Sequence, residues 1–225
     1  MVRIGNILML WVGMGLAAGT PVKLALPAPD PVPVSLTEAL KTRRTDRTLT
    51  PPAPSLMEAS QLFWAAQGEN RPGRRTAPSI YAKYSLELYL ITSGSQTLPE
   101  GIYHYLPAVH QIEKVGEGGP RPVLGKVKGM FSIITGAPAV LVVAGDPGRV
   151  ESAAFGKGTK YSWYEAGAAA ENLLLQAAAL RMGAATQTPY SVDMEEVART
   201  LFMPRPVQPF SLILLGRIGS SANPN

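Results

Sequence analysis

From residue 35 onward the chain alternates between short apolar runs and polar breaks, and most runs carry their own start and stop signals. Ser35-Leu36-Thr37-Glu38 has the form of a capping box, in which a serine hydroxyl accepts from an orphan helix N–H and the glutamate reaches back. It predicts a short helix ending near Thr42. Ser55-Leu56-Met57-Glu58 repeats the pattern and predicts a helix reaching Gln67, which Gly68 stops. Residues 86–92 (LELYLIT) read as a strand, and 101–105 with 111–115 as a hairpin around Pro107. Residues 139–144 (AVLVVA) are wholly apolar, the pattern of a strand covered on both faces. The longest helical pattern spans 161–182, is apolar on nearly every side and is ended by Gly183. Its whole circumference needs cover, from its own sheet alone or from sheet and partner chain together. Residues 194–201 predict a further helix and 210–215 (FSLILL) a further strand. Helices and strands interspersed in this way make the fold class α+β.

The first 34 residues follow different rules. One basic residue, Arg3, precedes an apolar run over 7–18 and the small residues Ala17, Ala18 and Gly19. That order describes a secretory signal peptide over 1–19, or an N-terminal anchor if it is not cleaved; a buried helix is the plainer alternative. The first reading implies export to a periplasmic or other extracytoplasmic space. Residues 20–34 hold five prolines and read as an extended linker. The expected organisation is therefore a linker over 20–34, one domain over 35–218 and a tail over 219–225.

Composition narrows the chemistry. The 225 residues include no Cys, which excludes a disulfide scaffold, thiolate catalysis and zinc knuckles. Two His, His104 and His110, leave little for a histidine metal site or a Ser-His-Asp hydrolase, and no metal ligands are assigned. The net charge of +5 suits small anionic ligands at least as well as nucleic acid. No basic stripe interleaved with aromatics is present, so no nucleic-acid partner is assigned.

Three segments carry polar groups suited to a site. Arg43-Arg44-Thr45-Asp46-Arg47 places three guanidinium groups and a hydroxyl within five residues, a donor set that matches a phosphate; read alone, it equally describes a solvated surface. Arg74-Arg75-Thr76-Ala77-Pro78-Ser79 precedes the 86–92 strand, and Pro78 with the Ser79 hydroxyl and backbone can meet a ligand edge or form a plain loop. Lys160-Tyr161 opens the long helix, either as a proton-handling pair or as an ordinary surface pair. Glu165 and Asn172, seven residues apart on that helix, share a face and are either structural hydrogen-bonders or ligand contacts.

Taken in order, these segments resemble the nitroreductase family of flavoproteins, in the branch that includes the azoline (thiazoline/oxazoline) dehydrogenases. Arg43-Arg44-Thr45-Asp46-Arg47 is similar to the family's R-R-S-x-R, and residues 76–89 resemble T-x-P-S-A-G-A-x-Y-P-L-E-x-Y. Gly101-Ile102-Tyr103-His104-Tyr105 with Pro107 and His110 resembles G-x-Y-H-Y-x-P-x-x-H. Lys160-Tyr161, Glu165-Ala166-Gly167 and Asn172-Leu173 through Gln176-Ala177 resemble the family's long-helix motif. The likeness covers about residues 35–218.

The resemblance implies a central, mainly antiparallel sheet flanked by helices, with the long helix at the interface of a homodimer that binds FMN at its seam. It implies that Arg43, Arg44, Thr45 and Arg47 hold the phosphate and ribityl chain, that Pro78 and Ser79 line the ring, and that Asn172 sits near flavin or seam. By the same route, Tyr190 and Ser191 line the cofactor, Arg217 contacts phosphate, and Lys160 and Tyr161 are candidate catalytic residues. The implied activity is oxidoreduction through flavin. One version is NAD(P)H-dependent reduction of a quinone or nitro-type acceptor; the other is dehydrogenation of a small or peptide-derived substrate. Two departures stand out, Tyr81 and Tyr190 at positions where the family has glycine. They support an alternative reading, a flavin-free binding module whose cofactor pocket is filled.

Overall fold

The structure is a computed structural model that describes residues 22–130, 134, 136–188 and 192–219. The expected signal segment, Tyr190, Ser191 and residues 220–225 lie outside the described residues. Eight strands form the main sheet: β1 (Lys23–Ala25), β2 (Leu49–Thr50), β5 (Leu86–Thr92), β6 (Gly101–Leu106), β7 (Gln111–Gly116), β8 (Ala139–Gly145), β9 (Gly183–Gln187) and β10 (Gln208–Ile218). They run in the order β1-β7-β6-β5-β8-β10-β2, with β9 also on β10, and every pairing is antiparallel. A two-stranded hairpin, β3 (Glu69–Arg71) with β4 (Arg74–Arg75), stands apart.

Burial explains the sequence of β8. Ala139, Leu141 and Val143 pack into a core with Leu62 and Phe63 of α2 (Leu56–Gln67) and with Ala166, Ala169 and Leu173 of α5 (Gly158–Ala179). Val140, Val142 and Ala144 enter a second core with Leu124 of α3 (Pro120–Leu124) and Val197 of α6 (Met194–Thr200). Alternate side chains of one strand thus feed opposite layers, so no polar position is tolerated between them. The remaining helices are α1 (Leu36–Thr42) and the single turn α4 (Gly148–Glu151).

The helix caps match the sequence in detail, with two exceptions. Ser55 and Glu58 form the full reciprocal box, whereas Ser35 accepts from the Glu38 N–H without a return bond. The long helix does not end at Gly183, which is the first residue of β9. It ends four residues earlier, at Ala179. Arg181 turns left-handed (φ 56°), its N–H donates to Ala178 O, and the Met182 N–H donates to Ala177 O. This is the paired bonding of a Schellman cap, with arginine where glycine is usual.

Residues 20–34 are not simply a linker outside the fold. Within them β1 extends the sheet by pairing with β7, and Leu26 is buried in the core. The physical reason is tertiary: the prolines that follow Ala25 prevent a helix, but they leave the three-residue edge strand free to pair. His110 fastens this segment. Its Nε2 lies 3.0 Å from Pro27 O and 2.8 Å from the Ser60 hydroxyl, and its Nδ1 lies 2.9 Å from the Tyr105 hydroxyl. Gln61 Nε2 donates to Asp30 O at 2.6 Å.

Burial holds the His110 imidazole below its usual value of 6.5, with the Pro27 carbonyl opposing in part. A histidine whose pKa is depressed on folding is bound by more protons in the unfolded state, so stability rises with pH through that range. The contribution is complete above about pH 6.5 and is lost as pH falls through the lower folded value. Amide exchange of Leu24 and Leu26 is therefore expected to accelerate relative to the rest of the sheet between pH 7 and 5. A His110→Asn variant should show no such pH step. Equal steps in both proteins would contradict this assignment.

Candidate functional site

Glu165 decides the geometry of the region. Its carboxylate is 1% exposed and sits on α5 beneath the segment between Pro78 and Leu86. Oε1 accepts from the Ser79 hydroxyl at 2.6 Å and the Ile80 N–H at 3.3 Å; Oε2 accepts from the Ser85 hydroxyl at 2.8 Å and the Ser85 N–H at 3.2 Å. Four donors fully satisfy a buried charge that would otherwise be costly. Glu165 is thus a structural hydrogen-bonder. The Ser79 hydroxyl, expected to meet a ligand, donates to Glu165 and accepts from the Tyr84 N–H at 2.7 Å. Its backbone remains as the ligand-facing part.

Between those anchor points the backbone is unusual. Tyr81, Ala82 and Tyr84 all have positive φ (47°, 54° and 51°). Such a conformation costs a non-glycine residue about 1–2 kcal/mol. Tyr81 therefore keeps a backbone conformation that glycine adopts freely, and its ring is 74% exposed instead of filling the interior.

Four cavities adjoin one another, each sharing residues with the next. The first, about 470 Å³, is lined by Lys41, Arg43, Arg44, Asp46, Ala178 and Arg181 among others. Arg44 Nε donates to the buried Asp46 carboxylate at 2.9 Å, and Arg43 Nε lies 3.7 Å from Glu171. Val34 connects it to a cavity of about 330 Å³ lined by Trp64, Thr76, Asn172 and Gln176. There the Gln176 Nε2 is buried without a hydrogen-bond partner among the described residues. Thr76 connects onward to a cavity of about 490 Å³ that includes Arg75, Pro78 and Ser79. Pro78, Ser79 and Tyr81 also line the last, about 390 Å³, with Phe155, Tyr161 and Tyr164.

Most of the described candidates therefore meet one of the four cavities, and four do not: Thr45, Arg47, Lys160 and Arg217. Thr45 and Arg47 are exposed and line none of the four. Arg217 is committed elsewhere: its Nη1 and Nη2 form a two-pronged pair with the Glu58 carboxylate at 2.7 and 2.8 Å, while its neighbour Ile218 lines the first cavity. The ion pair strengthens both partners; burial works against ionisation of Glu58, yet Arg217 holds its carboxyl below the usual range. Lys160 is exposed beside Tyr161 at the start of α5. Two residues that sequence reasoning missed, Arg71 and Arg181, line cavities with the expected ones. No group of three His, Asp or Glu among the described residues could hold a metal ion, and no described helix is long and apolar enough to cross a membrane.

Comparison with known proteins identifies the family and the fold. The model of the nitroreductase family matches residues 40–217. A Methanocaldococcus jannaschii protein provisionally named as nitroreductase MJ1384 is 33% identical over 158 residues, 69% of this chain and 79% of that protein. Among solved structures, a provisional nitroreductase of Ralstonia eutropha JMP134 superposes with a TM-score of 0.73 at 28% identity, covering 88% of this chain and 90% of that one. The Escherichia coli microcin synthetase McbBCD complex superposes at 0.66 with 20% identity over 79% of this chain and 70% of its own, a likeness of fold alone. With the family model matching residues 40–217 and a relative 33% identical over 69% of the chain, this protein belongs to the nitroreductase family.

Proposed function

We propose that this oxidoreductase depends on FMN and works as a homodimer with flavin at the subunit seam. The carrying observation is the basic cavity. Arg43, Arg44, Lys41 and Arg181 converge on about 470 Å³ against two carboxylates, Glu38 and Asp46. Such a set fits a phosphate, and the buried Asp46 holds the Arg44 fork in place. The buried Gln176 Nε2 further along the same run of cavities, without a partner among the described residues, is a second sign that something outside the chain completes the site.

Distance along the long helix supports the dimer. Tyr161 and Ala178, which line the last and first cavities, are seventeen residues apart on α5, about 26 Å at the helical rise. The basic end and the Pro78–Ser79 end of one chain are therefore far apart. A two-fold axis across α5 brings the basic end of one chain toward the Pro78–Ser79 end of the other. Tyr164 on α5 and Leu36 and Leu40 on α1 are large apolar side chains left exposed in one chain, as a subunit seam requires.

Bound FMN would supply hydride acceptance and donation. The chain's own residues do the rest. Arg43 and Arg44 neutralise the phosphate, and Pro78 presents a rigid apolar edge held by Glu165 through Ser79. Tyr161 stands in the cavity next to that edge, where its phenol can pass a proton, with Lys160 beside it as the second candidate. The proposal leaves two versions of the reaction, NAD(P)H-dependent reduction of a quinone or nitro-type acceptor and dehydrogenation of a small or peptide-derived substrate. The exposed Tyr81 ring does not favour a plugged pocket. Residues 1–19 as a signal or anchor, and export with them, belong to the same proposal. An absorbance spectrum with added FMN should show a protein-bound flavin band that bleaches with reductant, on a dimer by sedimentation. A colourless monomer indifferent to FMN would sink the reading.

A further inference from the structure

The β3–β4 hairpin carries positive charge in an arrangement that its own fold does not explain. The turn Pro72-Gly73, with Gly73 at φ 66°, brings Arg71 and Arg74 directly opposite one another. Like charges placed across a strand pair repel and destabilise it. Arg75 follows immediately, half-buried, with its guanidinium 4.7 Å from the centre of the Tyr84 ring. Its one hydrogen-bonded side-chain partner is neutral, Gln67 Oε1 at 3.0 Å. Among the described residues none of the three arginines has a carboxylate within ion-pair distance.

All three line the cavity of about 490 Å³, and no Asp or Glu lines it with them. The hairpin is fixed at its base: the Thr76 N–H donates to Gly68 O at 2.9 Å, the Trp64 indole to Glu69 O at 3.1 Å, and the Arg75 N–H to the Tyr84 hydroxyl at 3.0 Å. The crowded charges therefore cannot relax by moving the strand. Glu69 stands opposite Arg75 in the hairpin register and the Glu87 carboxylate acts on it, so the uncompensated charge is that of Arg71 and Arg74. A cavity in the range of small-ligand sites, walled by three guanidinium groups with no carboxylate in its lining, suits an anion from outside the chain. Arg43 and Arg44 line a different cavity, so the flavin phosphate proposed there does not meet this need.

We propose that Arg71, Arg74 and Arg75 form an anion subsite for the second substrate, reading a phosphate or carboxylate group while the rest of that molecule lies against Pro78 and Ser79. The placement against Pro78 and Ser79 rests on the flavin reading; the anion subsite does not. Two sources carry this chemistry, the 2′-phosphate of a pyridine nucleotide donor and the carboxylate of an organic acceptor.

Calorimetric titration of the full protein separates them. NADP⁺ is compared with NAD⁺, and 4-nitrobenzoate with nitrobenzene. A preference of about tenfold or more for the anionic member of either pair is expected, and which pair shows it identifies the source. An R71A/R74A variant should abolish that preference while keeping flavin retention unchanged; both side chains are exposed on a peripheral hairpin, so the fold should survive. The proposal fails if neither pair shows a preference, or if the preference persists in the variant. It also fails if the variant loses flavin, which would assign the arginines to the flavin phosphate. Should the protein hold no flavin at all but still discriminate through Arg71 and Arg74, the subsite stands and the flavin reading alone falls.

Discussion

Replacing Arg43 and Arg44 together by alanine is expected to weaken FMN binding by about 100-fold to 10,000-fold. Each charge-assisted hydrogen bond to a phosphate contributes about 1.5–3 kcal/mol, and each 1.4 kcal/mol is a factor of about ten. Fold stability should change far less. The Arg43–Glu171 contact is long and largely exposed, so its loss costs little. Removing Arg44 strips the buried Asp46 of its partner, which costs about 1–3 kcal/mol. Fluorescence titration of FMN beside thermal melts separates the two effects. If flavin affinity is unaltered in the double variant, the basic cavity is not the phosphate site, and the proposed function loses its main support.

The second large effect is structural and acts on the other end of the site. Glu165→Ala leaves two hydroxyls and two backbone N–H groups without their acceptor in a buried place. Breaking a buried charged network of this kind costs about 3–5 kcal/mol, and at this chain length each kcal/mol lowers the melting temperature by about 2–4 °C. A fall of roughly 10 °C is expected from these two figures. The Ile80 and Ser85 amides should lose exchange protection before the sheet does. Glu165→Gln should fall between alanine and the native protein, since its amide oxygen still accepts from two donors while its NH2 faces the other two, which the carboxylate had accepted from. A melting temperature within 2 °C of the native protein for Glu165→Ala would show that the four bonds contribute nothing net.

Elements with strong local signals were readable. Ser55 with Glu58, an apolar face and Gly68 define α2 to the residue, and β5 has the bounds that its apolar run suggests. β9 was not readable because Gly183-Ala184-Ala185-Thr186-Gln187 has neither alternation nor β-branched bulk. It is a strand because β10 offers it a ladder. β1 is three residues long among prolines and exists by virtue of β7 and the His110 anchor. The short helix α3 starts on a proline with no capping side chain, a weak signal in any sequence.

The site divides in the same way. Arg43 and Arg44 were visible as a cluster and do line a cavity. Arg217 was visible as a C-terminal cation, but its direction depends on Glu58, which is 159 positions away. Arg71 had a signal in Arg71-Pro72-Gly73-Arg74-Arg75, a turn flanked by cations, whose meaning needs the cross-strand register.

Sequence alone determined the α+β class, the principal strands and helices, and which short segments carry guanidinium, hydroxyl and carboxylate groups. These are local matters, set by capping geometry, by periods of two or 3.6, and by side-chain chemistry. Only the tertiary structure decided that Glu165 pins Ser79, that Arg217 faces Glu58, that residues 23–25 join the sheet and that three arginines share one cavity with no carboxylate in its lining. Each of those depends on partners brought together from distant parts of the chain or across a hairpin. A side chain's chemistry is written in the sequence, but the group that satisfies it is chosen by packing.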